Sequence, residues 1–203
     1  MYHWSNERKL SELSACGDDG VLELRYKNEF ARVYLNHEMR DIDRVFFESD
    51  DVETTISKND AQHVVIGEYA KHKTDVTRET TTDNLTRDVY HFLRPGGPSK
   101  TMRIGITHHR GYGTWSSLPH DFELAVEPGF EEVFFYMLSL QGSALQVARG
   151  VWHDMTPVDD LWRVRDKTFA TIPMGFHPVV GEPDVRVSYV WCYLAKDPRW
   201  EKI

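Results

Sequence analysis

The stretch EEVFFYML, from Glu131 to Leu138, decides the fold class of this chain. Side chains alternate between the two faces of a strand, so Glu132, Phe134 and Tyr136 are predicted to share one face. Glu131 then belongs to the opposite face. At most one glutamate of this pair can therefore point into a barrel, and its neighbour is expected to be solvated or at a strand edge.

Similar short segments surround this stretch at spacings near ten residues, and Gly and Pro residues separate them. Such spacing predicts an antiparallel sandwich or barrel. The predicted strands of the C-terminal part are TMRIGITHH, GTWSS, EEVFFYML, ALQVARGVW, DLWRVRD, TFATIP and VRVSYVWCYLA. Those of the N-terminal part are VLELRY (21–26), FARVYL (30–35), DRVFFES, DVETTIS and HVVIGEY (63–69). Residues 1–15 are predicted to form a short helix, because Leu10 and Leu13 have helical spacing and Gly17 follows.

The motif Pro95-Gly96-Gly97-Pro98 is the strongest turn signal in the chain. We interpret it as a domain boundary. Residues 1–94 are then predicted to form an N-terminal β region, and residues 99–203 a C-terminal β domain.

Composition limits the classes of function. The chain has 203 residues, which fits one generous domain or one domain and a partial second. Its formal net charge of −8 argues against a nucleic-acid partner, and no apolar run is long enough to cross a membrane. The first nine residues lack the apolar core of a signal peptide, so we expect a soluble cytoplasmic protein. Cys16 and Cys192 are expected to be unpaired thiols.

Histidines are the candidate metal ligands. His177 lies between Gly175 and Pro178 in the stretch TIPMGFHPVVGEP, a position at a strand entrance that suits a ligand. His120 is a second candidate. A mononuclear metal site needs three or four nitrogen or oxygen ligands that converge on one point. The alternative for each histidine is an ordinary one that caps a loop by hydrogen bonding.

Four segments carry a family resemblance: GTWSSLPHDFE…EPGFEEVFFY, LQV, TIPMGFHPVVGEPDVRVSYVWCYLA and the terminal DPRWEKI. In their order along the chain and in their residue patterns, they resemble the 5-deoxy-glucuronate isomerase family of inositol catabolism. That family is related to the 5-keto-4-deoxyuronate isomerases. The resemblance covers about residues 87–203 and implies the cupin superfamily, hence an all-β, double-stranded β-helix barrel. Residues 1–86 are shorter than that family's first barrel half, which implies an incomplete bicupin with a shortened N-terminal β region.

The resemblance also implies a metal site made by His120, Glu132 and His177, for a divalent metal such as zinc, manganese or iron. Phe122 stands where the family has a second histidine. Because a phenylalanine cannot bind a metal, the site is expected to hold its metal weakly or to have lost it. Residues that could replace the missing ligand are Asp121, Glu123, His108 and His109.

The implied reaction is an aldose–ketose interconversion of a uronate-type sugar, with Glu132 as the catalytic carboxylate. Arg110 and Arg149 are candidates to bind the sugar's carboxylate, since guanidinium groups bind carboxylates in a fork, and Gln146 is a third candidate substrate-binding residue. Two alternatives remain: a non-catalytic, sugar-binding cupin, or another metal enzyme such as a two-histidine, one-carboxylate oxygenase. A homodimer is expected, because an incomplete N-terminal sheet leaves strand edges that need cover.

Overall fold

A computed structural model describes residues 1–66, 86–113 and 130–195 of the chain. Within these ranges the chain forms strands and two single-turn 3₁₀ helices, at Lys58–Asp60 and Ser139–Gln141. The first eight strands are β1 (His3–Asn6), β2 (Ser14–Asp18), β3 (Val21–Tyr26), β4 (Glu29–Leu35), β5 (Ile42–Glu48), β6 (Glu53–Ser57), β7 (Gln62–Ile66) and β8 (Arg87–Leu93). The next eight are β9 (Met102–His109), β10 (Glu132–Leu138), β11 (Ser143–Val151), β12 (Pro157–Arg165), β13 (Thr168–Ile172), β14 (Met174–Phe176), β15 (Val179–Gly181) and β16 (Val187–Leu194).

The strands form three sheets. The largest has seven strands in the order β1-β13-β10-β16-β9-β8-β7. The second has the order β12-β11-β14, with β15 also paired to β11, and the third has the order β2-β3-β4-β5-β6. Neighbouring strands in these sheets are antiparallel, except that β1 runs parallel to β13.

The seven-stranded sheet is the middle layer, because both of its faces are covered. Val133 and Phe135 of β10 belong to a core shared with the five-stranded sheet, which contributes Phe47 among others. Phe134 and Tyr136 belong to a second core, shared with the β11–β12 sheet. Every residue of β10 is buried, as expected for a strand with apolar layers on both sides. The space between the seven-stranded sheet and the β11–β12 sheet is called the interior below.

Two buried carboxylates fasten the middle layer to the five-stranded sheet. Glu29, at the start of β4, accepts backbone N–H groups of Lys100 (2.7 Å) and Met102 (3.1 Å) where β9 begins. Glu131, just before β10, accepts those of Glu12 (2.9 Å to Oε2) and Leu13 (2.6 Å) just before β2. Each carboxylate therefore satisfies main-chain donors at the entrance of a strand in the other sheet.

The structure confirms most predicted strands. The segment HVVIGEY is described only as far as Ile66. In the segment GTWSS, the residues after Gly113 lie outside the described part of the chain. The helix predicted within residues 1–15 is wrong. Leu13 is 2% exposed and packs in the core, and its segment donates to Glu131 instead of to helical carbonyls. The neighbour of Glu132 was expected to be solvated or at a strand edge, and it is not solvated. The two glutamates do point to opposite faces, but Glu131 is fully buried because main-chain donors surround it.

Strands from both sides of the boundary predicted at residues 95–98 share the largest sheet. β8 pairs with β9, and β1 pairs with β13. The division into residues 1–94 and 99–203 stays a prediction. Cys16 and Cys192 are unpaired thiols, as predicted. No helix among the described residues is long and apolar enough to cross a membrane.

Candidate functional site

The interior face of the seven-stranded sheet is built by strand alternation. Glu132, Phe134 and Tyr136 of β10 share this face, as the sequence predicts. On the adjacent strand, Trp191 lies directly opposite Phe134, and Tyr189 lies opposite Tyr136. The ring of Phe134 stacks on that of Tyr189 with their centroids 4.3 Å apart. The face is therefore an aromatic floor with a carboxylate at one end.

His177 reaches this floor from the turn between β14 and β15. Its Nε2 lies 3.8 Å from Oε2 of Glu132, and the two side chains are only 2% and 7% exposed. The local backbone depends on Gly175, which has φ +104°, and a Cβ there would lie 2.7 Å from the carbonyl oxygen of Arg149. A glycine allows β14 to approach β11 this closely, and the chain then turns inward at His177.

Gln146 holds the main chain at His177 in place. It is fully buried on β11, and its Nε2 donates to the carbonyl oxygens of His177 (2.6 Å) and Pro178 (3.3 Å). Tyr136 orients this amide, because its hydroxyl donates to Oε1 of Gln146 over 2.5 Å. Burial, reinforced by the nearby Tyr189 and Glu132, raises the pKa of Tyr136 well above its usual value. The hydroxyl therefore keeps the proton that it donates.

The predicted site residues separate into two groups. Glu132, His177 and Gln146 come together in the interior. Arg110 instead forms a two-point ion pair with Asp88, with both N–O distances at 2.8 Å.

Arg149 is exposed on the outward face of β11, three positions from the buried Gln146. The substrate-binding roles of Arg110, Gln146 and Arg149 stay predictions. His120 and Phe122 lie outside the described residues, as do Asp121 and Glu123.

The two other histidines considered as replacement ligands lie on opposite faces of β9. His108 faces the five-stranded sheet, where its Nε2 lies 3.0 Å from Asp41 and its Nδ1 lies 2.9 Å from Ser188. His109 faces the interior, and its ring centroid is 6.2 Å from that of Tyr189. The sequence gives no sign that Tyr136 has a role in the site beyond that of an aromatic side chain on the interior face. Alternation places it in the interior, but its link to His177 depends on a strand elsewhere in the chain.

The donors at the Glu132–His177 pair are of the kinds that divalent metals accept, one carboxylate and one imidazole. They fit two positions of a metal site. Among residues 1–66, 86–113 and 130–195, no group of three or more His, Cys, Asp or Glu side chains is arranged to hold an ion. The predicted third ligand, His120, belongs to the part of the chain that is not described.

Comparisons with known proteins agree with this architecture. Residues 28–203 match the model of the KduI/IolB family, a longer match than the predicted 87–203. The 5-deoxy-glucuronate isomerases of Bacillus subtilis (strain 168) and Bacillus licheniformis are 30% and 31% identical to the chain, over 116 and 117 residues. Each match covers 56% of this chain but 42% of the relative, so the chain matches less than half of their length.

A solved structure, an IolB-like protein from Salmonella typhimurium LT2, superposes with a TM-score of 0.56 at 18% identity. The superposition covers 94% of this chain and 74% of that one, which shows a shared fold. The sheets described above are consistent with the predicted all-β cupin fold. Because the family model matches well over half of the sequence, the chain belongs to the KduI/IolB family.

Proposed function

We propose that this protein is a metal-dependent sugar isomerase that interconverts the aldose and ketose forms of a uronate-type sugar. The observation that carries the proposal is the approach of Glu132 to His177 within 3.8 Å, in the buried interior of a KduI/IolB-family chain. The curated relatives named 5-deoxy-glucuronate isomerase support the same reaction class. Their name also indicates the substrate to test first.

His120, Glu132 and His177 are proposed to hold a divalent metal, either zinc, manganese or iron. When bound, such a metal would polarise the sugar carbonyl and orient the neighbouring hydroxyl. The remaining work is a proton transfer between two adjacent carbons through an enediol. In the proposal, the carboxylate of Glu132 takes the proton from one carbon and returns it to the other, while the hydroxyl hydrogen passes from one sugar oxygen to the neighbouring one, so that no net proton is lost.

The surroundings of Glu132 suit this role. The aromatic floor formed by Phe134 and Tyr189 presents an apolar face against which a sugar ring can stack. Few solvent molecules can enter, since Glu132 and His177 are both almost fully buried. Gln146 fixes the main chain of His177 from behind, which keeps the imidazole pointing at Glu132 while substrate enters and leaves.

Metal analysis of the purified protein tests the proposal. We expect a stoichiometric divalent metal in the wild type and its loss in His177→Ala. The matched control is His37→Ala, which removes an exposed turn histidine and should leave the metal in place. A protein that stays metal-free after zinc, manganese and iron are added would contradict metal dependence and favour a non-catalytic, sugar-binding role.

The reaction itself is tested with 5-deoxy-glucuronate in D₂O, followed by NMR. A proton held by the carboxylate of Glu132 exchanges in part with solvent before it is returned, so we expect isomerisation with partial incorporation of deuterium at the affected carbon. Glu132→Gln should abolish both signals. Substrate turnover that consumes oxygen, without isomerised product, would instead favour an oxygenase on the same site.

A further inference from the structure

Arg87 and His109 face each other across β8 and β9 at the end of the interior far from Glu132. They are directly opposed in the antiparallel ladder, so their side chains leave the sheet on the same face, with Cβ atoms about 5 Å apart. That face is the interior one. Val89, two positions after Arg87, lies in the interior core, and the ring of His109 lies beside that of Tyr189.

His109 presents a hydrogen-bond acceptor that nothing satisfies among the described residues. It is 1% exposed, and its Nδ1 lies 2.9 Å from the carbonyl oxygen of Val187. A carbonyl can only accept, so Nδ1 carries the hydrogen and Nε2 has the lone pair. Nε2 is buried and has no hydrogen-bond partner in the described part of the chain. Burial outweighs the bond to Val187 and lowers the pKa of His109 to about 3, which keeps the ring neutral.

Arg87 presents the complementary group, a cation. It is 9% exposed, yet no hydrogen bond or ion pair to its guanidinium occurs within residues 1–66, 86–113 and 130–195. Arg40, by contrast, is bound to Asp166 at 2.6 Å, and Arg110 to Asp88. A guanidinium largely removed from water is costly unless an anion accompanies it, so one without such a partner in the described part of the chain is a candidate binding group.

We propose that Arg87 and His109 form a binding site for a small hydroxy acid. The carboxylate of the ligand lies on the guanidinium of Arg87, and the adjacent hydroxyl donates its hydrogen to Nε2 of His109. Both requirements come from the side chains present. A cation calls for the anionic group, and a buried acceptor calls for a neighbouring hydroxyl. An anion that lacks the hydroxyl satisfies only half of the site.

The site is separate from the Glu132–His177 pair and does not depend on the proposed isomerase activity. His109 lies across from Val187, which pairs with Leu138, and Leu138 is six positions from Glu132 along β10. At ~3.3 Å per strand residue, six positions separate the backbones of the two sites by about 20 Å along the strand direction. Their side chains come closer, because the rings of Tyr189 and Phe134 lie between His109 and His177, with successive centroid distances of 6.2, 4.3 and 6.0 Å. One small acid cannot contact both.

Glycolate and acetate are the probes, since they differ in the hydroxyl alone. The full-length protein, labelled with ¹⁵N-histidine, is titrated with each, and the Nε2 resonance of His109 is followed. We expect a saturable shift with glycolate, and affinity for acetate lower by about fivefold, the effect of one net hydrogen bond. No shift of this resonance with glycolate at tens of millimolar, or equal affinities for the two acids, would refute the site.

Three variants complete the test. Arg87→Met keeps the length of the side chain without its charge and should weaken glycolate binding by at least about tenfold. Arg163→Met, which removes an exposed cation on β12, should leave it unchanged. His177→Ala should also leave it unchanged while it removes the metal proposed above. If His177→Ala abolishes the shift, glycolate is binding at the Glu132 end and the Arg87 site is refuted, whereas the proposed isomerase site is not.

Discussion

Replacing Glu131 by glutamine should cost this protein a large part of its stability. The carboxylate is fully buried and accepts the backbone N–H groups of Ser11 (2.9 Å), Glu12 (2.9 and 3.0 Å) and Leu13 (2.6 Å), and also the hydroxyl of Ser11. Hydrogen bonds to a charged group contribute roughly 1.5–3 kcal/mol each, and they are not additive. Glutamine keeps one acceptor oxygen and turns an amide NH₂ toward donors. We therefore expect a loss of about 3 kcal/mol in the free energy of unfolding.

Urea denaturation, followed by circular dichroism, measures this loss. With a slope of about 2 kcal/mol per molar, the midpoint should fall by about 1.5 M while the slope stays unchanged. Glu38→Gln is the control, because it makes the same chemical change at an exposed turn, and it should shift stability by less than about 0.5 kcal/mol. A loss below about 1 kcal/mol in Glu131→Gln would refute the reasoning.

The same variant should change the response to acid. Burial alone would raise the pKa of Glu131, but the donors at Leu13, Ser11 and Glu12 outweigh it and lower the pKa below its usual value. A carboxyl with a lowered folded-state pKa stabilises the fold above its unfolded pKa, near ~4.3, and this contribution is lost as pH falls through the folded value. The difference in stability between wild type and Glu131→Gln should therefore begin to shrink as pH falls below about 4. A constant difference down to pH 3 would contradict the assignment.

Three further predictions concern other parts of the molecule. Tyr136→Phe removes the donor that orients Gln146, so unfolding free energy should fall by about 1–3 kcal/mol and metal affinity should fall with it, as urea denaturation and metal titration would measure; an unchanged metal affinity would contradict the link to the site. Gly175→Ala places a Cβ 2.7 Å from a carbonyl oxygen at φ +104°, so we expect a loss of about 2–4 kcal/mol in thermal denaturation, and a neutral variant would contradict the close approach. The protein should be a homodimer in light scattering, because β7 ends the seven-stranded sheet with Val65 49% exposed, and a monomeric mass would refute this.

Alternation within a strand predicted the part of the site that lies on one element. It placed Glu132 and Tyr136 on a common face, and the Gly and Pro flanks of His177 indicated a turn at a strand entrance. The same rule separates Gln146 from Arg149, since residues three apart on a strand face opposite sides. These two candidates on β11 therefore cannot both face the interior.

Long-range partners explain what the sequence could not predict. Leu10 and Leu13 fit a helical spacing, but Leu13 is drawn into a core built by strands elsewhere in the chain. Glu131 looked like a solvated neighbour of Glu132, because its partners lie about 120 positions earlier. No local pattern records such a contact. Only the arrangement of the sheets brings these backbone donors to the carboxylate.

The two fastening carboxylates, Glu29 and Glu131, make the unfolding of one sheet inseparable from that of the other. Opening the five-stranded sheet withdraws Glu29 from the entrance of β9, and opening the middle sheet withdraws Glu131 from the entrance of β2. Local opening of either layer therefore exposes a charge and several donors at once. The amide hydrogens of Leu13 and Met102 should exchange with solvent only when the whole molecule unfolds, at the rate set by its global free energy.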